Sequence, residues 1–323
     1  MKPRIQFAHL PTPVEDLPRL SALLHGPTLL TKRDDQTGLA FGGNKTRKLE
    51  YLLYEAQVAG AKTLITAGAV QSNHCRQTVA AAARFGLDCI LVLFGDPPET
   101  PDGNHLLHYL LGAEVIFTKR ENVNQKLEEV FENALSAGRQ PYLIPYGGSN
   151  PTGALGYVNA MLELAQQDVK PDWIVFPSSS GGTQAGMLVG ARMSGYRGKI
   201  LGISVDEPAD ELKAQVADLA VQTARSINLT ESFSPQDVLI NDAYVGGGYA
   251  VMDSAEVEAI RLFAGYEALI LDPVYTGRAA AGLIDLIRKR FFKDDVTVLF
   301  WHTGGGPALF ASRYQGELLE LGN

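Results

Sequence analysis

Short apolar runs alternate with longer helical patterns along this chain from about residue 60 onward. Runs that are apolar throughout and separated by helices are typical of parallel sheets covered by helices on both faces. The pattern predicts an α/β protein with open, mostly parallel sheets. The predicted strands are 62–66, 89–94, 114–118, 141–145, 172–177, 200–205 and 296–301, and the predicted helices are 71–85, 104–111, 125–137, 153–166, 182–193, 211–227, 256–264 and 283–290.

Length and charge narrow the class of protein further. The 323 residues suffice for two domains, and 28 Lys and Arg against 36 Asp and Glu give a net charge of −8. A nucleic-acid partner is not expected, because phosphate binding needs a basic surface. The only cysteines, Cys75 and Cys89, lack metal-ligand spacing and are expected to be reduced thiols. With neither a signal-peptide pattern nor a membrane-length apolar run, the expectation is a cytoplasmic protein without a membrane partner.

Segment 41–51, FGGNKTRKLEY, places a lysine after a flexible Gly-Gly-Asn turn and at the start of a helical pattern. Basic residues at a helix start are often simply solvated, and that interpretation is adequate for Arg47 and Lys48. It is less adequate for Lys45, because a cation in the first helical turn opposes the helix dipole. The pKa of the Lys45 ammonium is therefore expected to be lowered. Attack on an aldehyde requires such a lysine, since only the neutral amine reacts.

Segment 176–187, FPSSSGGTQAGM, follows a predicted strand and opens a predicted helix. Its small and hydroxyl-bearing residues offer backbone N–H groups and a helix N-terminus to one phosphate group. The segment is neither a Walker A loop nor a GxGxxG fingerprint. A tight turn without any ligand is the alternative interpretation at this point.

Segment 67–77, AGAVQSNHCRQ, lies at another predicted strand-to-helix junction. Ser72 is placed to cap the helix, and Asn73 and His74 follow in the first turn. Ligands of open α/β sheets bind at the carboxyl edge of the strands, which this turn adjoins. A thiol nucleophile made of His74 and Cys75 is not favoured, because adjacent residues on a helix do not face each other.

Two late segments, 271–278 (LDPVYTGR) and 300–307 (FWHTGGGP), contain further candidate residues. Tyr275 lies in a turn bounded by Pro and Gly, and Thr303 lies at the end of a predicted strand. If each segment is considered alone, Tyr275 can be explained as a tyrosine packed in a turn and Thr303 as a hydroxyl at the end of a strand.

Together these segments resemble the signature blocks of a family of pyridoxal-phosphate (PLP) enzymes. This family includes D-cysteine desulfhydrase and 1-aminocyclopropane-1-carboxylate (ACC) deaminase, and it belongs to the tryptophan-synthase-β-like group, fold type II. The matching blocks are GGNKTRKLEY, AGAVQSNH, SSSGGTQAGM, LDPVYTG and HTGG. The resemblance implies a larger PLP-binding domain from residues 1–50 and 156–323, a smaller α/β domain inserted at 51–155, and a homodimer.

The resemblance also implies which residues bind the cofactor. Lys45 resembles the lysine that carries PLP as a Schiff base, and Asn73 resembles the residue that hydrogen-bonds the 3′-oxygen. Thr303 is placed to hydrogen-bond the pyridine nitrogen. The residues that resemble the phosphate cradle are Ser180, Gly181, Gly182 and Thr183.

On the substrate side, Ser72 and His74 together with Asn73 resemble the group that receives the substrate carboxylate. Tyr275 resembles the tyrosine near the substrate. Tyr249, within segment VGGGYA, is similar to a second active-site tyrosine. The residues predicted to be catalytic are therefore Lys45, Ser72, Tyr249 and Tyr275.

Departures from the ACC deaminases bear on the reaction, because those enzymes carry Glu at the position of Thr276, Leu at Thr303 and Gln at His74. A carboxylate beside the pyridine nitrogen keeps it protonated and makes the ring a strong electron sink, which opening a cyclopropane without an α-hydrogen requires. A threonine hydroxyl leaves a weaker sink, which suffices for β-elimination. The departures favour conversion of D-cysteine to pyruvate, ammonia and hydrogen sulfide, with Lys45 or Tyr275 as the base that removes the α-proton.

Several alternatives stay open at the level of the sequence. ACC, D-serine, β-chloroalanine and cysteate are alternative substrates, and the handedness of the substrate is not encoded in any motif. A non-catalytic PLP-binding or carrier protein is a different class, but it would not need the substrate-side group around Asn73. A nucleotide-binding dehydrogenase is disfavoured, because the turn at 180–183 lacks the three-glycine spacing and a placed acidic partner.

Overall fold

The computed structural model describes residues 2–319 and arranges their strands in two separate sheets. The strands are β1 (Val14–Asp16), β2 (Thr28–Arg33), β3 (Thr63–Ala69), β4 (Asp88–Phe94), β5 (Glu114–Thr118), β6 (Pro141–Leu143), β7 (Trp173–Ser178), β8 (Lys199–Ser204), β9 (Leu239–Asn241) and β10 (Thr297–His302). The larger sheet has the order β1-β2-β10-β7-β8-β9, and the smaller sheet has the order β5-β4-β3-β6.

Neighbouring strands run parallel throughout the described sheets, except for β1 and β2, which form an antiparallel pair at one edge. The central strand β4 is buried along all but its first residue, as a strand covered on both faces must be. The predicted α/β class with mostly parallel sheets is confirmed. Within residues 2–319, no helix combines the length and the hydrophobicity that a transmembrane segment needs.

Helices cover both sheets, and several of them begin and end at recognisable capping residues. Ser72 and Asn150 accept hydrogen bonds from the first turns of α3 and α6, and Gly86 ends α3 in the left-handed conformation. The helices are α1 (Pro18–Leu24), α2 (Asn44–Val58), α3 (Asn73–Phe85), α4 (Gly103–Leu110), α5 (Val123–Ser136), α6 (Pro151–Leu164), α7 (Gly182–Ser194), α8 (Ala209–Ser226), α9 (Ser254–Glu267), α10 (Thr276–Arg288) and α11 (Ser312–Leu319).

Each predicted strand and helix corresponds to an observed element, with ends that differ by a few residues. The exception is α10, which begins at Thr276 rather than at residue 283. The carboxylate of Asp272 accepts the N–H groups of Val274, Tyr275 and Thr276, so it caps this early start. The elements β1, α1, β2, β9 and α11 were not predicted.

The strands of the smaller sheet all lie between residues 51 and 155, and those of the larger sheet lie outside that range. Helix α2 crosses the boundary at residues 50 and 51 and packs on both α3 and α6. The proposed division into two domains at these boundaries stays a prediction. The carboxyl ends of the central strands of both sheets approach one another, and the pocket described next lies there.

Candidate active site

One pocket forms where the strand ends of the two sheets converge. Segments that follow β3 and β6 of the smaller sheet and β7 and β10 of the larger sheet line it, together with the start of α2. The carboxyl edge of parallel strands is the usual ligand position in α/β folds. The lining residues are Asn44, Lys45, Ser72, Asn73, His74, Tyr146, Gly147, Pro177, Ser178, Ser179, Ser180, Gly181, Thr183, Tyr275, Thr303 and Gly304.

The pocket brings together most of the residues predicted from the sequence, although they come from five separate segments. Gly182 lies directly behind the pocket wall, where its N–H donates to Ser149 Oγ at 3.3 Å. Tyr249 does not line the pocket and reaches it through Tyr275. The predicted residues that do line it are Lys45, Ser72, Asn73, His74, Ser180, Gly181, Thr183, Tyr275 and Thr303.

Lys45 is the second residue of α2, and its Nζ donates to the carbonyl oxygen of Gly147 at 3.0 Å. Burial lowers the pKa of its ammonium to about 8. The predicted direction of the shift is confirmed. Its main cause is removal from water, whereas the sequence argument relied on the helix dipole. A substantial fraction of this amine is neutral near pH 8 and able to attack an aldehyde.

The interpretation of Arg47 and Lys48 as solvated residues is wrong, because both side chains are almost completely buried. The Arg47 guanidinium donates to the carboxylates of Asp34 and Glu163. Lys48 Nζ donates to Gly147 O at 3.1 Å and to Ser149 Oγ at 3.2 Å. These contacts anchor α2 against its surroundings, and they hold the backbone of Lys45 in place.

The turn before α7 presents unused hydrogen-bond donors. Within the described part of the chain, the backbone N–H groups of Ser180, Gly181 and Thr183 donate to no acceptor. Gly181 has φ +76°, a left-handed conformation that favours glycine. Three free N–H groups at the N-terminus of a 13-residue helix suit a phosphate group. This geometry favours the phosphate interpretation of the segment over a tight turn without a ligand.

The Tyr146-Gly147 turn forms the opposite wall, and no role for it is predicted from the sequence. Gly147 has φ +62°, and a Cβ built there would collide with Ser180 Oγ and lie 3.4 Å from Lys45 Nζ. The turn therefore requires glycine both for its backbone and for its closeness to the lysine. A Gly-Gly pair directly after a predicted strand was the only available signal for this wall.

The first turn of α3 combines neutral donors with a helix N-terminus. The N–H groups of Asn73 and His74 have no acceptor among residues 2–319, and the Ser72 hydroxyl accepts from Cys75 N at 3.1 Å. Burial lowers the pKa of His74 well below its usual value, so the ring is neutral. The arrangement suits a carboxylate, which accepts hydrogen bonds from N–H and O–H groups.

The amide of Asn73 is held from behind. Its Oδ1 accepts from Arg76 Nη1 at 3.0 Å and from Asn104 Nδ2 at 2.8 Å. Because the oxygen is occupied, the amide nitrogen is the group left to donate toward the pocket. A phenolic oxygen is a suitable acceptor for it.

Tyr275 and Tyr249 form a hydroxyl pair, with 2.9 Å between their oxygens. Burial raises the pKa of both phenols well above the usual 10, so both are protonated in the neutral range. A protonated phenol donates a proton more readily than it removes one. Tyr275 is therefore better suited to the role of an acid than to that of a base.

Thr303 and Thr276 differ in how their hydroxyls are used. Thr303 Oγ1 makes no hydrogen bond within residues 2–319, and the residue lines the pocket. Thr276 Oγ1 donates to the buried carboxylate of Asp272 at 2.7 Å. That carboxylate is also occupied by backbone N–H groups, and no Asp or Glu is among the pocket-lining residues.

This donor set fits the cofactor that the resemblance implies. An amine of lowered pKa is present for an aldehyde, and free N–H groups are present for a phosphate. The Asn73 amide can donate to a phenolic oxygen, and the Thr303 hydroxyl can donate to a pyridine nitrogen. The residues present therefore match each polar group of PLP.

Comparisons with known proteins support a PLP-dependent enzyme. The model of the family described as "Pyridoxal-phosphate dependent enzyme" matches residues 5–304. A solved structure described as an ACC deaminase homologue is 39% identical, with a TM-score of 0.89, over 98% of this chain and 95% of that one. An L-serine ammonia-lyase from Rhizomucor miehei is 18% identical, with a TM-score of 0.70, over 97% of this chain and 98% of that one. Maize serine racemase is also 18% identical, with a TM-score of 0.67, over 93% and 89%.

Proposed function

Because the chain belongs to the family of pyridoxal-phosphate-dependent enzymes, we propose that it eliminates the β-substituent of a small amino acid, D-cysteine, giving pyruvate, ammonia and hydrogen sulfide. The observation that carries this proposal is the unused Thr303 hydroxyl in a pocket whose described lining holds no carboxylate. A hydroxyl beside the pyridine nitrogen leaves a moderate electron sink. Such a sink suffices when the leaving group takes the electron pair away.

The geometry of the pocket supports an assignment of residues to the cofactor. Lys45 would link to the aldehyde carbon, and the turn before α7 would bind the phosphate. Asn73 would donate to the phenolic oxygen, and Thr303 would donate to the ring nitrogen. The bound cofactor supplies an acceptor for the electrons of the breaking Cα–H bond.

Substrate orientation depends on the first turn of α3. The free N–H groups of Asn73 and His74 and the Ser72 hydroxyl receive the substrate carboxylate. Fixing the carboxylate there directs the remaining substituents of the α-carbon toward Lys45 and Tyr275. Such positioning contributes to the rate because the reacting groups are already oriented.

Two proton transfers are assigned to side chains of this pocket. Lys45 Nζ, neutral at its lowered pKa of about 8, removes the α-proton of the substrate. The Cβ–S bond then breaks with its electron pair on sulfur, and Tyr275 Oη donates a proton to that sulfur. Tyr249, hydrogen-bonded to Tyr275, is placed to return a proton to it. The released aminoacrylate and one water give pyruvate and ammonia.

A panel of amino acids tests the proposed reaction. The PLP-loaded protein is incubated with D-cysteine, L-cysteine, D-serine, β-chloroalanine, cysteate and ACC, and sulfide, 2-oxo acids and ammonia are measured. The expected result is sulfide and pyruvate in equal amounts from D-cysteine, with the highest kcat/KM of the panel. Ammonia and 2-oxobutanoate from ACC, without sulfide from D-cysteine, would contradict the proposal.

ACC deamination is the second candidate, because a structure described as an ACC deaminase homologue is 39% identical. The environment of Thr276 weighs against it. Its hydroxyl is directed to Asp272, and the carboxylate of Asp272 is engaged in capping α10. No acid is left among the described lining residues to keep the pyridine nitrogen protonated.

We also propose that the protein acts as a homodimer in the cytoplasm. The likeness to the family suggests a homodimer, and the composition, with two cysteines that are free thiols, suggests the cytoplasm. The exposed apolar side chains on α4 support an assembled form, and the corresponding test is given below.

A further inference from the structure

A second cavity of about 270 Å³ adjoins the active-site pocket. The two share Tyr146, Ser179 and Ser180 as wall residues, so a molecule in one is in reach of the other. The remaining wall brings one cation, Arg120, and two carboxylates to the same small space: Asp206, and the more solvent-exposed Glu207 beside it. Nothing in the reaction of D-cysteine makes use of these groups.

Arg120 follows β5 and presents its guanidinium without a polar partner. The guanidinium carbon lies 5.6 Å from the ring centroid of Phe94 and 5.6 Å from that of Tyr249. Stacking on two rings holds the plane of the group while leaving its N–H edges available. Across residues 2–319, the side chain makes no hydrogen bond and no ion pair. Arg120 also borders an outer cavity of about 950 Å³, through which a ligand can enter.

Asp206 follows β8 and carries an oxygen that is left unsatisfied. Its Oδ1 is buried and has no hydrogen-bond partner in the described structure. Burial raises the pKa of this carboxyl group, and a hydrogen bond with Ser179 and then the positive charge of Arg120 act in the opposite direction. The two groups thus interact through space without forming an ion pair. An orphaned buried carboxylate oxygen needs a donor, which a bound ligand can supply.

A cation and a carboxylate that face one cavity without pairing are complementary to a zwitterion. We propose that this cavity binds the zwitterionic head of a second amino acid, at the distal end of a thioether substrate whose sulfur joins two alanine units. Arg120 contacts the distal carboxylate, and Asp206 contacts the distal ammonium. The inference deepens the proposed β-elimination and rests on it.

The steps proposed for D-cysteine also account for every atom of such a thioether substrate. Lys45 removes the α-proton of the proximal unit, and the Cβ–S bond of that unit breaks with the electron pair on sulfur. The sulfur takes a proton and leaves as the thiol of free cysteine. One water converts the aminoacrylate to pyruvate and ammonia. The leaving group is then an amino acid rather than hydrogen sulfide.

The test compares two thioethers that differ only at the distal end. Meso-lanthionine has a zwitterionic head and one D-centre, and S-propyl-D-cysteine has an uncharged chain of similar length. The ratio of their kcat/KM values is measured for the PLP-loaded wild type, Arg120→Met and Asp206→Asn. Lys119→Met is the matched control, because Lys119 borders the outer cavity but not the inner one.

The ratio of kcat/KM for meso-lanthionine to kcat/KM for S-propyl-D-cysteine is expected to be well above one for wild type and for Lys119→Met. In Arg120→Met and in Asp206→Asn it is expected to fall about tenfold or more, because a charged hydrogen bond is lost. An equal ratio in all four proteins would overturn the inference while leaving β-elimination intact. If no amino acid is turned over, the proposed function fails instead. In that case, binding of meso-lanthionine is measured by calorimetry. Binding about tenfold weaker to both Arg120→Met and Asp206→Asn supports the proposed cavity site, and unchanged binding overturns it.

Discussion

Among the single residues, Lys45 has a lowered pKa, and the main cause is removal of its amine from water. Its Nζ has one carbonyl acceptor, Gly147 O, and no carboxylate to stabilise its charge. Lys48 donates to the same carbonyl oxygen, and burial lowers its pKa as well, with a further decrease from the charge of Lys45. Protonating both amines is unfavourable, because they share one acceptor, lie close together and are removed from most of the surrounding water.

We therefore predict that apoprotein takes up PLP faster as the pH rises through about 8, because the neutral fraction of Lys45 grows over that range. The measurement is the rate at which the visible band of the linked cofactor appears between pH 6 and pH 10. The control is Lys45→Ala, in which no such band forms. A midpoint near the ordinary lysine value of 10.5 would contradict the burial argument.

Tyr275→Phe tests the assignment of the acid. We predict that kcat for D-cysteine falls on the order of 10²-fold with little change in KM, because a proton donor to the leaving sulfur is lost. β-Chloroalanine is affected much less, since chloride leaves without a proton. Tyr244→Phe, which removes a hydroxyl bound to Asp285 away from the pocket, is the matched control. Equal losses with both substrates would contradict the acid role.

Candidate ligand-binding residues could be recognised from the sequence where they lie in a motif. Those that lie outside any motif could not be recognised. Lys45, Asn73 and Thr303 lie in blocks whose composition already pointed to a ligand. Arg120 and Asp206 lie after strands with no unusual residues beside them. They become neighbours only because the carboxyl ends of two sheets face one cleft, which no local pattern encodes.

At the scale of elements, the site depends on two turns that approach each other closely. The turn at Gly147 leaves just enough space for Ser180 and for the amine of Lys45. Helix α2 is held by the buried contacts of Arg47 with Asp34 and Glu163. Removing one partner of such a network leaves an uncompensated charge, which is why these residues anchor the lysine-bearing helix firmly.

Gly147→Ala is predicted to weaken PLP binding at least about tenfold, because its Cβ enters the space beside Lys45 and Ser180. Gly138→Ala is the matched control, since Gly138 has φ +72° and open space around its Cα. Both substitutions strain a left-handed residue by about 1–2 kcal/mol, so Gly138→Ala reproduces the backbone strain of Gly147→Ala without its collision. A spectral titration with PLP distinguishes them, and equal affinities would contradict the prediction.

The strands and helices that were predicted well are those whose side chains are buried, and therefore apolar, along nearly the whole element. β4 is apolar along nearly its whole length, and its assignment required no knowledge of its neighbours. β2 was missed because it contains a lysine, Lys32, which in the sequence looks like an exposed residue. In the structure Lys32 is buried and forms an ion pair with Glu163. The early start of α10 was missed because a carboxylate four residues upstream caps it, and its first turns are rich in small residues.

At the scale of the whole molecule, the alternating pattern identified the class but not the number of sheets. No composition change separates the segments that form the two sheets, so their separation is a property of tertiary packing. The consequence for function is that the residues proposed to bind cofactor and substrate come from segments that follow strands of both sheets. The pocket is complete only when Tyr146 and Asn73 from one meet Tyr275 and Thr303 from the other.

The predicted homodimer is testable through the exposed apolar face of α4. Leu106 and Leu110 lie four residues apart on that helix, and Leu110 is 71% exposed. Leu110→Glu is expected to shift the mass measured by light scattering from two chains toward one, because a charge enters an apolar contact. Val58→Glu, at another side chain that is 71% exposed, is the matched control. A wild-type mass of one chain would contradict the prediction.

We propose that Lys45 holds PLP in a pocket suited to β-elimination from D-cysteine. This is tested by a visible spectrum of the purified, PLP-loaded protein before and after D-cysteine is added, with sulfide and pyruvate determined in the same cuvette. We expect a band of the linked cofactor that changes on addition while both products appear in equal amounts. A band that ignores D-cysteine, with neither product formed, would contradict it.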